Sequence, residues 1–221
     1  MDAAPSPYRQ LVRRAAARVV SRSRYLTNGP AGSSSVCLTF DDGPDPEHTP
    51  AVLDALDRLE VTATFFVVGK RAVRHPELVR RIAAAGHAVG HHSYSHADPG
   101  ATSAREFLSE VRRTARELEQ VIGEAPTLFR PPHGKLTVAK ALALWSLGQT
   151  IVLWNVDPKD FACESSAAVS EWFALHPVQA GDIVLLHDNR PYAAEALPGL
   201  VADAKRRKLT FARVSEWTTR G

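Results

Sequence analysis

The sequence is poor in cysteine and has no long apolar run. Its 221 residues include two cysteines, Cys37 and Cys163, and neither lies in a CxxC pair. Two such thiols do not make a disulfide framework, so we expect a reduced, cytosolic setting, with a single bridge left open. No apolar stretch approaches the roughly 20 residues that cross a bilayer. The N-terminus also lacks the continuous apolar core of a signal peptide, so we predict a cytoplasmic protein without a transmembrane segment.

Other missing features argue against further classes of protein. No glycine-rich phosphate loop follows the first predicted strand, which argues against a nucleotide-binding fold. The formal net charge is only +3, and no alternation of aromatic and basic residues accompanies it. We therefore expect no nucleic-acid partner. The hydrophobic content of 44% is sufficient for the core of one large domain.

The basic surplus is concentrated at the N-terminus. Residues 8–24 have the spacing of a short amphipathic helix, and residues 28–35 (NGPAGSSS) read as a turn-rich linker. We therefore predict an N-terminal arm and linker over 1–33 and the main domain over 34–221. The arm either packs against the domain, which we favour, or lies on a membrane surface as an amphipathic segment. Its arginines, opposed only by Asp2, are Arg9, Arg13, Arg14, Arg18, Arg22 and Arg24.

From residue 36 onward, strand-like and helix-like stretches alternate. This alternation is typical of a parallel α/β architecture. A small (β/α) barrel is our first choice and an open doubly wound sheet is the second. The predicted strands cover residues 36–40, 63–68, 88–90, 127–129, 150–154, 182–186 and 209–213. The predicted helices cover 47–59, 76–85, 102–122, 135–147, 165–175 and 193–207.

The most informative stretch is the hexapeptide TFDDGP at residues 39–44. An apolar run leads directly into two adjacent carboxylates, Asp41 and Asp42, and then into a Gly-Pro break. Such a run favours a buried strand, so both carboxylates are expected at its C-terminal tip, where active sites lie in βα folds. Neighbouring carboxylates repel each other. A metal ion bound by one, while the other handles protons, explains the pair. An Asx turn or a helix cap is the alternative.

A histidine pair follows the strand predicted at 88–90. His92 and His96 are four residues apart, and in a helical turn this spacing would place both imidazoles on one side. Together with Asp42 they form a set of two histidines and one carboxylate, which leaves coordination positions open for water and substrate. A lone histidine is more often a packed or surface residue. The pair therefore predicts a metal site, with His91 expected to point elsewhere.

Two more strand ends carry polar and aromatic residues. Arg130 follows the strand at 127–129, and its guanidinium offers a fixed fork that would keep a carboxylate such as Asp41 ionised. Alternatively, Arg130 only braces its loop. Trp154 and Phe161 flank another strand end and would form an aromatic wall suited to the face of a sugar. Either aromatic could instead be an ordinary core residue.

The last strand end delivers His187 directly after an apolar run. A histidine in this place is well positioned to act as a general acid or base. A nearby carboxylate would raise its pKa and keep it protonated, and Asp160 or Asp188 is the expected partner.

Taken in order, these stretches resemble the five motifs of the polysaccharide deacetylase family, the NodB-homology domain of carbohydrate esterase family 4. The resemblance covers roughly residues 36–215. The motifs are TFDDGP at 39–44, HSYSH at 92–96, RPPHG at 130–134, DPKDF at 157–161 and LLH at 185–187.

The resemblance implies a distorted (β/α) barrel of about seven parallel strands and a divalent metal, usually Zn²⁺, with Co²⁺ or Ni²⁺ as alternatives. It implies removal of an acyl group, most often the N-acetyl group of an N-acetylglucosamine unit. By this resemblance the metal would be held by Asp42, His92 and His96. Asp41 would be the general base, and Arg130 would orient and acidify it.

The same resemblance implies the remaining roles. His187 would be the general acid, tuned by Asp160. The backbone N–H of His133 would help hold the oxyanion, and Leu185 would line the pocket for the acetyl methyl group. We expect a monomer that acts on a chitooligosaccharide or peptidoglycan type of saccharide.

Three departures from the family pattern leave the substrate open. His91 stands where the family often has Asn, His133 where it often has Tyr, and Phe161 where it often has Trp. A deacylase of a small N-acyl amino-sugar metabolite, or of a lipid- or nucleotide-linked sugar, is the alternative function. O-deacetylation of xylan and a catalytically silent carbohydrate-binding domain are further readings, and the intact motif residues argue against the second.

Overall fold

The computed structural model describes residues 20–218, which contain eight strands and seven helices. The strands are β1 (Tyr25–Leu26), β2 (Ser35–Asp41), β3 (Thr64–Val67), β4 (Ala88–His91), β5 (Leu128–Phe129), β6 (Thr150–Val152), β7 (Ile183–His187) and β8 (Thr210–Phe211). The helices are α1 (Thr49–Arg58), α2 (Gly69–Arg74), α3 (Pro76–Ala84), α4 (Ala104–Ile122), α5 (Val138–Ser146), α6 (Ser166–Leu175) and α7 (Tyr192–Arg206).

All strand pairs are parallel, and the sheet curls into a distorted barrel. The strand order is β1-β6-β5-β4-β3-β2-β7, with β8 paired to the start of β2. The barrel closes through the chain that follows β6, because Val156 forms an isolated parallel bridge with Val184 on β7. Parallel strands joined through helices place every strand's carboxyl end at the same rim.

The inside of the barrel is filled with side chains. The residues that point inward form one buried cluster: Leu26, Cys37, Phe66, Leu128, Val152, Ile183, Ala212, Val214 and Trp217. A second and larger apolar cluster lies between the outer face of the strands and the surrounding helices, and it includes Phe40 and Phe65. Both faces of the strands are thus buried, as expected for a parallel sheet with helical crossovers.

Local signals explain where the helices begin and end. Ser103 caps α4 by accepting a hydrogen bond from the Glu106 N–H, and the Glu106 side chain returns a bond to the Ser103 N–H, which completes a capping box. Gly123 ends the helix in the left-handed conformation with φ of 82°. Pro76 opens α3, where its missing N–H is not needed.

The seven strands and six helices predicted from residue 36 onward are all present. Two elements escaped prediction. Helix α2 is only six residues long and strongly basic, so it carries no extended apolar period. Strand β1 consists of two residues and pairs with β6.

The predicted N-terminal helix over 8–24 falls mostly outside the described residues. Within its last residues, Arg22 to Arg24 form a turn rather than a helix, and this part of the prediction is wrong. The chain then enters the sheet at Tyr25, inside the segment assigned to the arm and linker. Both cysteines are free thiols, and Cys37 is buried inside the barrel. In residues 20–218 none of the helices has the length and apolarity required to cross a bilayer.

The outer core supplies a stability prediction. Phe65 is fully buried and stacks on Phe40 with the ring centroids 4.9 Å apart. We expect Phe65→Ala to lower the free energy of unfolding by about 3–5 kcal/mol, because the truncated ring leaves a cavity. Leu175→Ala is the control, since Leu175 is 71% exposed and its loss should stay within about 0.5 kcal/mol. Denaturant titration measures both, and equal effects would contradict this description of the core.

Candidate active site

Side chains from five loops converge at the carboxyl rim of the barrel. Strand register sets the first pair, because Asp41 on β2 lies directly opposite His187 on β7. Arg130 follows β5, and its backbone N–H donates to the His91 carbonyl at the end of β4. His92 continues β4 by donating its own N–H to the Val67 carbonyl. Residues far apart in the sequence are thereby held by one continuous sheet.

Asp42, His92 and His96 form a cluster with the geometry of a metal site. One possible ligand atom from each residue lies within 4.8 Å of those of the other two. Among residues 20–218, these three side chains therefore form a group that could hold a metal ion. Asp42 Oδ1 lies 3.2 Å from His96 Nε2 and 3.8 Å from His92 Nε2. The predicted ligand residues are therefore brought together.

The histidine pair does not converge by the predicted helical turn. Residues 92–96 form a loop in which Ser93 and His96 have positive φ angles of 64° and 63°. The His96 N–H donates to Ser93 Oγ at 3.1 Å, which stabilises this backbone. The helical explanation of the spacing is wrong, although the convergence of the two imidazoles is as expected.

The cluster has the chemistry that a divalent cation requires. His92 Nδ1 donates to the Arg130 carbonyl at 2.7 Å, which leaves Nε2 unprotonated and facing Asp42. Asp42 Oδ1 is buried and accepts no hydrogen bond. Burial opposes ionisation of Asp42, but the neighbouring imidazole of His96 outweighs it and holds the pKa of Asp42 well below its usual range. A cation of borderline softness fits two imidazoles and one carboxylate.

Asp41 is held by a fully buried arginine. Arg130 Nη1 donates to Asp41 Oδ1 at 2.7 Å and to Thr39 Oγ1 at 2.8 Å. The other guanidinium nitrogens donate to the carbonyls of Val152 and Leu153 at 3.3 Å. The second oxygen of Asp41 is left 3.6 Å from His92 Nε2, at the edge of the cluster.

His187 is paired with Asp160, which resolves the choice between two candidate partners. His187 Nδ1 donates to Asp160 Oδ1 at 2.7 Å, and the His187 backbone N–H donates to Oδ2 at 2.8 Å. Burial opposes protonation of the imidazole, but the Asp160 carboxylate outweighs it and raises the pKa of His187 to about 9. The imidazole is therefore protonated at neutral pH.

The four residues predicted to contact substrate surround this centre. The Phe161 ring meets His187 edge-on with the centroids 5.3 Å apart, and the Trp154 ring lies 5.5 Å from the Arg130 guanidinium. His133 is exposed, with a positive φ of 56°, and its ring meets His96 at 5.0 Å. Leu185, opposite Thr39 in the register, is buried.

Sequence reasoning missed several supporting residues. Asp188, offered only as a partner for His187, instead accepts a 2.6 Å hydrogen bond from Thr49 Oγ1. Asn189 Nδ2 donates to Asp42 Oδ2 at 3.4 Å. Their position directly after His187 is the one signal that could have pointed to them. His91 points away from the cluster as expected, with its Nε2 3.0 Å from Gln149 Oε1.

The sequence and the fold of this chain are both similar to those of known proteins. Residues 28–152 match the family model described as Polysaccharide deacetylase. A Peptidoglycan-N-acetylglucosamine deacetylase of Bacillus cereus is 36% identical over 170 residues, which cover 76% of this chain and 61% of that protein. The chain thus spans about three fifths of the length of this relative.

Two further likenesses extend over more of the related chains. A Chitooligosaccharide deacetylase of Bradyrhizobium sp. is 39% identical over 166 residues, 75% of either protein. The crystal structure of the Bc1960 peptidoglycan N-acetylglucosamine deacetylase, in complex with 4-naphthalen-1-yl-N-oxidanyl-benzamide, superposes with a TM-score of 0.83 at 31% identity. The superposition covers 87% of this chain and 92% of the chain in that crystal structure.

The His187–Asp160 pair predicts a specific change in titration. Asp160→Asn should lower the pKa of His187 from about 9 towards its ordinary value of 6.5, because burial then acts without the carboxylate that most strongly opposes it. The raised pKa stabilises the fold fully below about pH 6.5, and this contribution is lost as the pH rises through about 9. NMR titration of the imidazole checks the shift. An unchanged pKa in Asp160→Asn would contradict it.

Proposed function

The chain belongs to the polysaccharide deacetylase family, and on that premise we propose that it is a metal-dependent hydrolase of N-acetylglucosamine-containing saccharides. It would remove N-acetyl groups from oligo- or polysaccharide of the chitooligosaccharide or peptidoglycan type. The observation that carries the proposal is that three groups of side chains lie together at the carboxyl rim of the barrel. They are the candidate metal ligands Asp42, His92 and His96, the ion pair of Asp41 with Arg130, and the ion pair of His187 with Asp160.

We assign the metal to Asp42, His92 and His96, with Zn²⁺ first and Co²⁺ or Ni²⁺ as alternatives. When bound there, a divalent ion polarises an acyl carbonyl and lowers the pKa of a coordinated water. The orphaned Oδ1 of Asp42 and the orientation of His92 Nε2 support this assignment. Two imidazoles and one carboxylate leave positions open for water and substrate.

Asp41 is the proposed general base. Its Oδ1 is held by the Arg130 guanidinium at 2.7 Å, so the carboxylate is fixed in one orientation. Its Oδ2 faces the metal cluster and is the oxygen that would take the proton of the attacking water. Arg130 does not touch the substrate in this scheme, and its role is to hold Asp41 in place.

His187 is the proposed general acid. Because Nδ1 donates to Asp160, the second N–H of the protonated ring is available to the departing amine. An amine leaves poorly unless it is protonated, so this proton transfer is essential to C–N cleavage. The raised pKa of His187 keeps that proton in place at neutral pH.

The remaining candidates would shape the substrate site. The backbone N–H of His133 would donate to the oxyanion, and one such donor is worth about 3–4 kcal/mol of barrier. Leu185 would contact the acetyl methyl group, while Trp154 and Phe161 would stack on sugar rings. All of these residues lie in the proposed deacetylase domain, 34–221, so we propose that residues 1–33 take no part in the chemistry and that one chain suffices.

Acetate release tests the proposed function. N-acetylglucosamine oligomers of one to five units are incubated with the protein and Zn²⁺ or Co²⁺, then again after chelation. We expect metal-dependent release that increases with chain length. Release from the monosaccharide alone would favour a small amino-sugar metabolite instead. No release from any oligomer by protein shown to hold metal would contradict the proposal.

The two proton-transfer residues give a sharper test. Asp41→Asn and His187→Ala should each reduce kcat by about two or more orders of magnitude, because each removes one general catalyst. Zinc binding should persist in both variants, since neither residue is an assigned ligand. Steady-state kinetics on the best oligomer provides the measurement, and near-normal turnover in either variant would remove that residue from its role.

A further inference from the structure

Asp188 is a buried carboxyl group that the proposed reaction does not use. It follows His187 directly, it is only 1% exposed, and it is not a member of the group formed by Asp42, His92 and His96. Instead the carboxylate packs against the loop that carries Asp42. Its burial beside this loop calls for an explanation, because burying an ionisable group is costly unless the group is bonded or neutralised.

The contacts of Asp188 bracket the backbone on both sides of Asp42. The Asp188 backbone N–H donates to the Asp41 carbonyl at 3.3 Å, just before Asp42. Just after it, the Asp188 carboxylate occupies the space where a side chain at position 43 would begin, and a Cβ added to Gly43 would collide with it. Glycine at 43 is therefore required by the carboxylate.

The carboxylate is itself anchored. Thr49 is fully buried at the start of α1, and its hydroxyl donates to Asp188 Oδ2 at 2.6 Å. The same hydroxyl accepts the Asp45 backbone N–H at 2.8 Å, which ties the rest of the loop to the same point. On the far side of the loop, the Val68 N–H donates to the Gly43 carbonyl at 2.8 Å.

Asp42 needs such support because its backbone is in an unfavourable region. Its φ is 75°, in the left-handed region that residues with a Cβ adopt only at a cost. This conformation directs Oδ1 towards His92 and His96. Asn189, which follows Asp188 in the chain, donates from Nδ2 to the other carboxylate oxygen of Asp42, Oδ2, at 3.4 Å. The segment after β7 therefore holds both the backbone and the side chain of Asp42.

We propose that Asp188 is a positioning residue that holds Asp42 in its left-handed conformation and thereby sets the affinity of the cluster for a divalent ion. This inference rests on the proposed metal-binding function of Asp42, His92 and His96. Asp188 does not contact the ion or the substrate. The segment that carries the general acid therefore also organises the metal-binding carboxylate on the neighbouring strand.

Zinc affinity of the full chain tests the proposal, measured by competition with a chromophoric chelator. Asp188→Ala should weaken zinc binding by about 10–100-fold, the usual effect of losing a residue that orients a ligand. Asp188→Asn keeps an oxygen that accepts the Thr49 hydroxyl and should recover most of the affinity. Turnover of both variants is measured at saturating zinc, so that a loss of zinc affinity is separated from a loss of chemistry.

Asp182→Ala is the matched control. Asp182 is also buried, precedes the same strand at its opposite end, and accepts hydrogen bonds from Asn155 and the Gln179 N–H at 2.6 Å. Its loss should lower the melting temperature without changing zinc affinity. Should Asp188→Ala fail to fold, Thr49→Val, which removes the anchoring hydroxyl, should weaken zinc binding in the same direction.

The possible results separate this inference from the proposed function. Zinc affinity of Asp188→Ala equal to that of the unaltered protein would overturn the inference while the metal site stands. Lost turnover at unchanged affinity would also overturn it, because it would place Asp188 in the chemistry. Failure of the unaltered protein to bind zinc, or binding that survives His96→Ala, would overturn the proposed metal site, and the inference with it.

Discussion

The site depends on a buried ion pair between Arg130 and Asp41. The guanidinium is fully buried, and its donors reach Asp41 and Thr39 on β2 and the chain that continues β6. A buried charge without its partner costs several kcal/mol, about 3–5 when such a pair is broken. The pair therefore fixes Asp41 in one orientation and binds three strand ends together at the rim.

The barrel connects this ion pair to the other residues of the candidate site. Its register sets Asp41 beside His187, and the Arg130 carbonyl orients the imidazole of His92. Each of these side chains is thus positioned by a residue that lies on, or directly after, another strand. The proposed chemistry needs a base, an acid and a metal within a few ångströms of one acyl carbon, and the shared carboxyl rim offers positions for all three.

Most of the fold could be predicted from the sequence because the strands are continuous apolar runs separated by amphipathic helices. Helix α2 could not be predicted, since its six residues are too few to establish a helical period. Strand β1 could not, since its two residues lie between the stretches whose patterns predict a helix and a linker. The candidate residues could be named because each follows a strand directly. Their exact convergence could not, because it relies on left-handed backbone at Asp42, Ser93 and His96, which periodicity does not encode.

The residues that support the site, such as Asp188 and Thr49, could not be predicted from the sequence for a related reason. Asp188 and Thr49 are 139 positions apart, and nothing in either local pattern indicates that they bond. The sequence offers both Asp160 and Asp188 as partners of His187, because each lies in a stretch that follows a predicted strand. Only the fold distinguishes Asp160 from Asp188 as the partner of His187, since both carboxylates lie close to this strand end and Asp188 bonds to Thr49 instead.

The measurement that tests the central claim most directly is the anomalous scattering map of crystals grown with zinc, recorded on both sides of the zinc absorption edge. The account predicts one strong peak in contact with Asp42 Oδ1, His92 Nε2 and His96 Nε2, with Asp41 close by but outside the ligand set. A peak ligated by other residues, or none in zinc-containing crystals, would contradict it.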